Sequence, residues 1–362
     1  MKKVFDMHCH YHLFDLTIKE RAEIFKEEFE ITETCKACFL SIPQEFSNKG
    51  EKWFDALQNI KGMFLKKYFS PNGYAYAGLV ALDDYSDTEK AADEFLKQVT
   101  EYYAAGFDGI KMLEGYPSFI KYTGQNIDSP VYDKFYAFCE DKGFPITIHI
   151  ANPDENWDIN KASKDAIEQG RVYDESFPTK AEITDALFNV LDRFPKLRLA
   201  VAHFGFFSEH YADAEKYMEY ENTLIDITPG GEQLINMSRE WDKWLPFWEK
   251  YQDRIIYGTD YFAFPKNDEW EKLFNCRPKF LRGFLETNTE HYYYDTKFKG
   301  VKLDEKILDK IYMTNALKLL GSPRPIEKDY FIKEAERLKK YSLSDFELSD
   351  LKYINLYKTE ND

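Results

Sequence analysis

Eight short runs rich in β-branched and aromatic residues recur along the chain with helical patterns between them, and this alternation restricts the topology more than any other feature. The runs are Val4–His10, Ala37–Pro43, Tyr74–Leu82, Phe107–Leu113, Phe144–Ile150, Leu197–Phe204, Thr223–Thr228 and Arg254–Asp260. Most are continuous apolar stretches, as strands are when helices cover a parallel sheet. Between them, Thr88–Ala105 keeps a helical period and stops at Gly106, Val131–Lys142 stops at Gly143, and Thr179–Arg193 stops before Pro195. Strands alternating with helices imply a parallel sheet. Eight such units over about 260 residues match an α/β fold closed into a (β/α)8 TIM barrel. An open doubly wound sheet would carry a glycine-rich phosphate turn after its first strand, and none is present.

The remaining chain decorates that barrel. Phe264–Leu303 is too long for a simple connection and reads as an insertion (264–303) after the eighth strand, either a lid or a packing element. Leu303–Leu320 reads as the closing helix. The expected division is a barrel domain over 1–322 and a helical C-terminal extension, 323–362, packed on it. The net charge of −16 argues against nucleic acid as a partner, because phosphate binding needs a basic face. Five cysteines form no framework, and Cys35 and Cys38 read as ordinary buried thiols. Asp6, His8 and His10 stand where a signal peptide would need apolar residues, and no stretch is long enough to span a bilayer. The expectation is a cytoplasmic protein without a membrane partner. Barrel enzymes commonly self-associate, so a homo-oligomer stays open, though no surface seam is legible.

In a strand, residues two apart share a face, so His8 and His10 project together from Val4–His10. Two imidazoles on one rigid strand can hold one divalent ion, and the other ligands must come from elsewhere. Active sites on such barrels form at the C-terminal ends of strands. There the fifth run ends in His149, the sixth in His203, the eighth in Asp260, and the fourth carries Lys111. Four of the seven histidines thus fall at strand ends placed by hydrophobicity alone, which chance does not readily produce. Singly, each has a plain reading: His149 a satisfied core residue, Asp260 a helix cap, His203 a loop contact. Together they point to a metal centre. His12 shares the His8/His10 face beyond the strand, whereas His210 and His291 read as surface residues.

The strings Asp6-Met7-His8-Cys9-His10, His149, His203-Phe204-Gly205 and Gly258-Thr259-Asp260, with Thr314-Asn315-Ala316 near the end, resemble the amidohydrolase superfamily. Within it the amidohydrolase-related (amidohydrolase 2) branch fits best, which holds metal-dependent hydrolases and non-oxidative decarboxylases. The resemblance implies that His8, His10, His149 and Asp260 bind one divalent metal, zinc first and manganese second, leaving His203 free for acid/base work. A second metal bridged by a carboxylated Lys111 is the lesser alternative.

What the resemblance implies chemically is a hydrolase. A metal-activated water attacks an amide, ester or lactone carbonyl, Asp260 accepts its proton, and His203 serves the oxyanion or leaving group. The alternative is a decarboxylase of an aromatic or unsaturated acid on the same centre, and a non-catalytic metal-binding protein carries least weight. For a small carboxylate-bearing substrate, Lys111 and Arg171 are the candidate binding residues. Trp157, on the loop after His149, is a candidate pocket wall. Glu114, Tyr116, Phe206 and Phe262 also follow strands and are candidate site linings.

Overall fold

The computed structural model describes residues 1–12, 16–265, 276–341 and 343–359. The expected insertion and C-terminal extension therefore fall partly outside the described residues. Nine parallel strands make up one sheet: β1 Val4–His10, β2 Thr34–Leu40, β3 Gly73–Gly78, β4 Gly109–Gly115, β5 Ile146–Ile150, β6 Leu199–Val201, β7 Thr223–Asp226, β8 Ile255–Ile256 and β9 Tyr261–Phe262. Their order is β8-β7-β6-β5-β4-β3-β2-β1-β9. The two edge strands are thus halves of one stretch of chain. Ile255 and Ile256 pair with β7, while Tyr261 and Phe262 pair with Cys9 and His10 of β1. Between them the Met7 N–H donates to the Tyr257 carbonyl at 3.0 Å. The sheet therefore closes on itself as a (β/α)8 barrel.

The closure differs from the continuous eighth strand expected over Arg254–Asp260. The break lies where Asp260 takes φ 54°, outside the strand region. The sixth strand also ends early, at Val201 rather than Phe204, because His203, Phe204, Gly205 and Phe206 all take positive φ.

Polar punctuation sets the helices. Helix α1, Ile18–Thr32, opens on a capping box in which Thr17 and Glu20 bond reciprocally. The helices Thr88–Ala105 and Lys180–Arg193 are capped by Asp87 and Thr179, and the first of them stops at Gly106, φ 97°. Inside the ring, Phe5, Met7, Leu40, Tyr74, Tyr76 and Ile256 fill the lower barrel, sealed from below by Ala316 and Leu319 of the helix Asn315–Leu320. Asn315 donates to the Ile255 carbonyl at 2.8 Å and holds that helix in place.

Phe5 and Met7 face inward, yet so do His8 and His10, which strict alternation forbids. A register irregularity between Asp6 and Cys9 rephases the strand. The buried Asp6 carboxylate stabilises it by accepting the N–H groups of His8 (3.1 Å) and Thr259 (3.0 Å) and the Thr259 hydroxyl (2.5 Å).

Two additions follow barrel strands. A hairpin, Gln44–Phe46 with Lys52–Phe54, follows β2. After β9, the described part of the insertion is the helix Cys276–Glu286 and the hairpin Glu290–Tyr293/Thr296–Lys299. The C-terminal helix Asp345–Thr359 docks through Asp350, which accepts the Ile18 N–H at 2.8 Å and lies 3.3 Å from the Lys61 ammonium. Cys38 is buried as expected, but Cys35 is only half-buried. No helix among the described residues is long and apolar enough to cross a membrane.

Candidate metal centre

Three side chains converge at the C-terminal end of β1. Donor atoms of His8, His10 and Asp260 all lie within 4.8 Å of one another. The two Nε2 atoms are 3.0 Å apart, and the Asp260 Oδ1 lies 3.4 Å from that of His10 and 3.8 Å from that of His8. The opposite ring nitrogens are occupied. His10 Nδ1 donates to the Leu40 carbonyl at 3.0 Å, and that oxygen can only accept. His8 Nδ1 lies 2.6 Å from the buried carboxylate of Asp226. Both Nε2 atoms therefore carry lone pairs and face each other without a proton between them, next to a carboxylate oxygen. This donor set suits a divalent cation, and the outer partners fix the tautomers it requires. Gly258 permits the packing, since a Cβ there would stand 2.8 Å from both His8 and Asp226.

Burial, the largest cause in each case, holds His8, His10 and His203 well below the ordinary imidazole value. Neutral rings keep their lone pairs for coordination. Burial likewise pushes Asp226 up to about 7 and raises Asp260, which Arg277 and Lys111 partly offset. Lys111 is buried with its Nζ 3.4 Å from His8 Nε2. Burial lowers it to about 8 against the pull of Asp260, Asp226 and Glu114.

His149 and His203 stand on the same rim, one ring further out. The His149 ring lies 4.9 Å from His203, which lies 5.6 Å from His8. His149 is thus outside the tight three-residue group. Its Nε2 donates to the Ala151 carbonyl at 3.0 Å, which leaves Nδ1 as the lone-pair nitrogen. Burial depresses its pKa to about 3. His203 is buried, and its Nδ1 has no hydrogen-bond partner among the described residues. Gly230 makes room for it, because a Cβ there would meet the His203 ring at 2.7 Å. Ala151, His203, Phe204, Phe206 and Asp260 all hold positive φ at this rim. Such conformations persist where the surroundings enforce them, and they gather at functional sites.

Aromatic faces enclose the cluster. Phe262 lies 5.1 Å from His10, Phe206 5.6 Å and Tyr116 5.1 Å from His149, ring to ring. The two other expected binding residues lie on the loop after β5. Trp157 is in a 3-10 turn; its indole N–H donates to the Pro178 carbonyl at 3.1 Å and its ring packs on Tyr173, which in turn faces Tyr116. The loop after β5 thus reaches the start of the Lys180–Arg193 helix while staying at the rim: Gly231 leaves room for Pro153, and Tyr173 stands 6.5 Å from Tyr116, the ring beside His149. Arg171 is exposed, and its charge acts on His149 and Tyr173 as well as on Glu45 of the hairpin after β2. Glu114 is buried with Oε2 unpartnered among the described residues, and burial pushes it to about 8. His210 and His291 bind Asp154 and Thr287 away from the cluster.

Sequence reasoning missed three residues here. Asp226 closes β7 and was open to the same inspection of strand ends. Asp6 stands out in the sequence only as a polar residue in an otherwise apolar run and as the start of the Asp6–His10 string. Arg277, in the insertion, donates to both the main-chain oxygen of Asp260 and its Oδ2, the latter at 2.6 Å; no local pattern announces it.

A family model described as amidohydrolase matches residues 67–322, a span that holds Lys111, His149, His203 and Asp260 but not His8 or His10. No curated protein matches the chain significantly. Among solved structures, the 2,6-dihydroxybenzoate decarboxylase from Rhizobium is similar at 16% identity and TM-score 0.51, covering 88% of this chain and 99% of its own. The 4-oxalomesaconate hydratase from Rhodopseudomonas palustris is similar at 13% identity and TM-score 0.51, covering 93% and 99%. The IDCase from Metarhizium anisopliae is similar at 14% identity and TM-score 0.50, covering 88% and 97%. At these identities the likeness is one of fold.

Proposed function

The chain belongs to the amidohydrolase family, and on that premise we propose that it is a metal-dependent lyase that decarboxylates a small planar acid, aromatic or unsaturated. His8, His10 and Asp260 would hold the cation, with His149 as the fourth ligand. Zinc and manganese both accept imidazole and carboxylate donors. A divalent ion there supplies positive charge that polarises a substrate oxygen and acidifies water.

The observation that carries this reading is the composition of the walls. Flat faces of Phe206, Phe262 and Tyr116 surround the histidines, which suits a planar ring. The cations Lys111 and Arg277 lie beside the two carboxylates Asp226 and Asp260. With a dication added, positive charge outweighs negative, so the site favours an anion. Lys111 steers the substrate carboxylate. His203, whose ring stands between His149 and His8, is the general acid: it takes up a proton when the anionic substrate binds and passes it to the ring carbon, after which the carbon–carbon bond breaks. The bonding pair stays on the ring carbon, carbon dioxide leaves, and the proton takes its place.

Hydrolysis of an ester, lactone or amide is the second reading. It is favoured by Asp260, whose half-buried carboxylate is raised in pKa and so fits a group that takes a proton from water. The test is to offer the metal-loaded protein 2,6-dihydroxybenzoate and related hydroxybenzoates beside a panel of esters and lactones. The proposal expects bicarbonate from an acid and no turnover of the panel. Turnover of a lactone or ester without carbon dioxide release would overturn it.

A further inference from the structure

β1 ends at its second candidate ligand, and two residues further along the chain stands His12. Its ring is 4% exposed. It stands edge-on to His10 at 5.2 Å and to Phe262 at 5.0 Å, and 5.6 Å from the ring of Trp53. Its Nδ1 has no hydrogen-bond partner among the described residues. His8 has the Asp226 carboxylate and His10 the Leu40 carbonyl; among the described residues His12 has neither kind of support. Nor does it belong to the group of donors that converge within 4.8 Å. A buried polar nitrogen without a partner calls for an explanation, and packing alone would be served as well by a phenylalanine among these neighbours.

Trp53 reaches this place on the hairpin after β2, opposite Glu45. Asn48, at the hairpin's turn, donates to the Val172 carbonyl at 3.0 Å, which ties the turn to the loop that follows β5. The hairpin is thus fastened across the mouth on the His12 side.

We propose that His12 is a specificity-determining residue that hydrogen-bonds an oxygen substituent of the substrate ring, while Trp53 and Phe262 flank that ring as flat walls. The inference rests on the aromatic-acid reading above and adds which acids are selected. An imidazole offers one donor and one acceptor, so it pairs with a hydroxyl, which both gives and takes a hydrogen bond. A bare C–H edge would leave the nitrogen unpaired, which is how such sites reject analogues lacking the group.

The experiment titrates two probes, 2,6-dihydroxybenzoate and benzoate, into the metal-loaded full chain by calorimetry. Wild type is expected to bind the hydroxylated acid at least about tenfold more tightly, the value of one buried hydrogen bond. His12→Phe should reduce that preference to about twofold, leaving benzoate affinity and metal content unchanged. His12→Gln, which keeps a hydrogen-bonding group, should restore part of it and serves as the second variant if the first fails to fold. An unchanged preference in either folded variant overturns the role of His12 while leaving the aromatic-acid reading intact. Wild type that binds neither probe overturns that reading, and this inference with it.

Discussion

Asp226→Asn is the most informative single change at the candidate metal centre. The two carboxylate oxygens of Asp226 each accept one N–H: Oδ2 from His8 Nδ1 at 2.6 Å, Oδ1 from Thr228 at 2.8 Å. Both groups are fully buried. Asparagine has one acceptor and one donor to offer the same two donors. If its oxygen keeps the Thr228 N–H, its amide faces His8 Nδ1. The imidazole then moves its proton to Nε2, where it meets His10 Nε2 at 3.0 Å as a proper donor–acceptor pair. The apo site becomes self-satisfied, and one coordinating lone pair is lost. If the oxygen turns to His8 instead, the Thr228 N–H is left buried and opposed. Loss of such a supporting partner typically lowers metal affinity about 10–100-fold, which is about 1.4–2.8 kcal/mol. Competition against a chelator of known affinity, read by metal analysis, gives the number. Thermal unfolding of the apo protein should show a midpoint no lower than wild type, because a buried charge has been removed. Wild-type metal affinity in Asp226→Asn would refute the tautomer argument.

Three further outcomes are expected. His203→Ala should keep metal and fold yet lose about 10²–10⁴-fold in turnover, and full turnover would remove His203 from the chemistry. Arg277→Met frees Asp260 Oδ2 and should weaken metal binding about tenfold, with partial recovery in Arg277→Lys; unchanged affinity in both variants would leave Arg277 a packing residue. Glu28 is buried, its oxygens unpartnered among the described residues, and burial raises it from 4.5 to about 7. Because its folded pKa exceeds the unfolded one, its contribution to stability falls as pH rises from 4.5 to about 7 and is constant above. Glu28→Gln should therefore raise the melting midpoint at pH 8, by up to about 3 kcal/mol in stability, and change little at pH 4; an equal shift at both pH values would contradict the assignment.

The barrel was legible because parallel strands buried on both faces write themselves as continuous apolar runs. Those runs also placed His8, His10, His149, His203 and Asp260 at strand ends, where barrels carry their chemistry. The split of the last strand was not legible. Ile255–Ile256 and Tyr261–Phe262 pair with different neighbours, and closure of the ring, not local sequence, decides that. The rephasing of β1 was equally hidden. It depends on Asp6 accepting an N–H from Thr259, which is remote in sequence. Trp157 follows His149 in sequence, but its partners, the Tyr173 ring and the Pro178 carbonyl, are set by the tertiary fold. Arg277 lies in a segment without periodicity, so only the folded chain brings it to Asp260. The metal identity and the choice between carbon–carbon cleavage and hydrolysis leave no trace in spacing, because both reactions use the same residue types.

The proposed centre holds one divalent cation between residues from both ends of the barrel sequence. The most direct test is anomalous X-ray scattering from crystals of the metal-loaded protein, collected on either side of the zinc and manganese edges. The account predicts a single peak within bonding distance of His8 Nε2, His10 Nε2, His149 Nδ1 and Asp260, with Lys111 unmodified. Two peaks bridged by a modified Lys111, or a single peak away from His8 and His10, would contradict it.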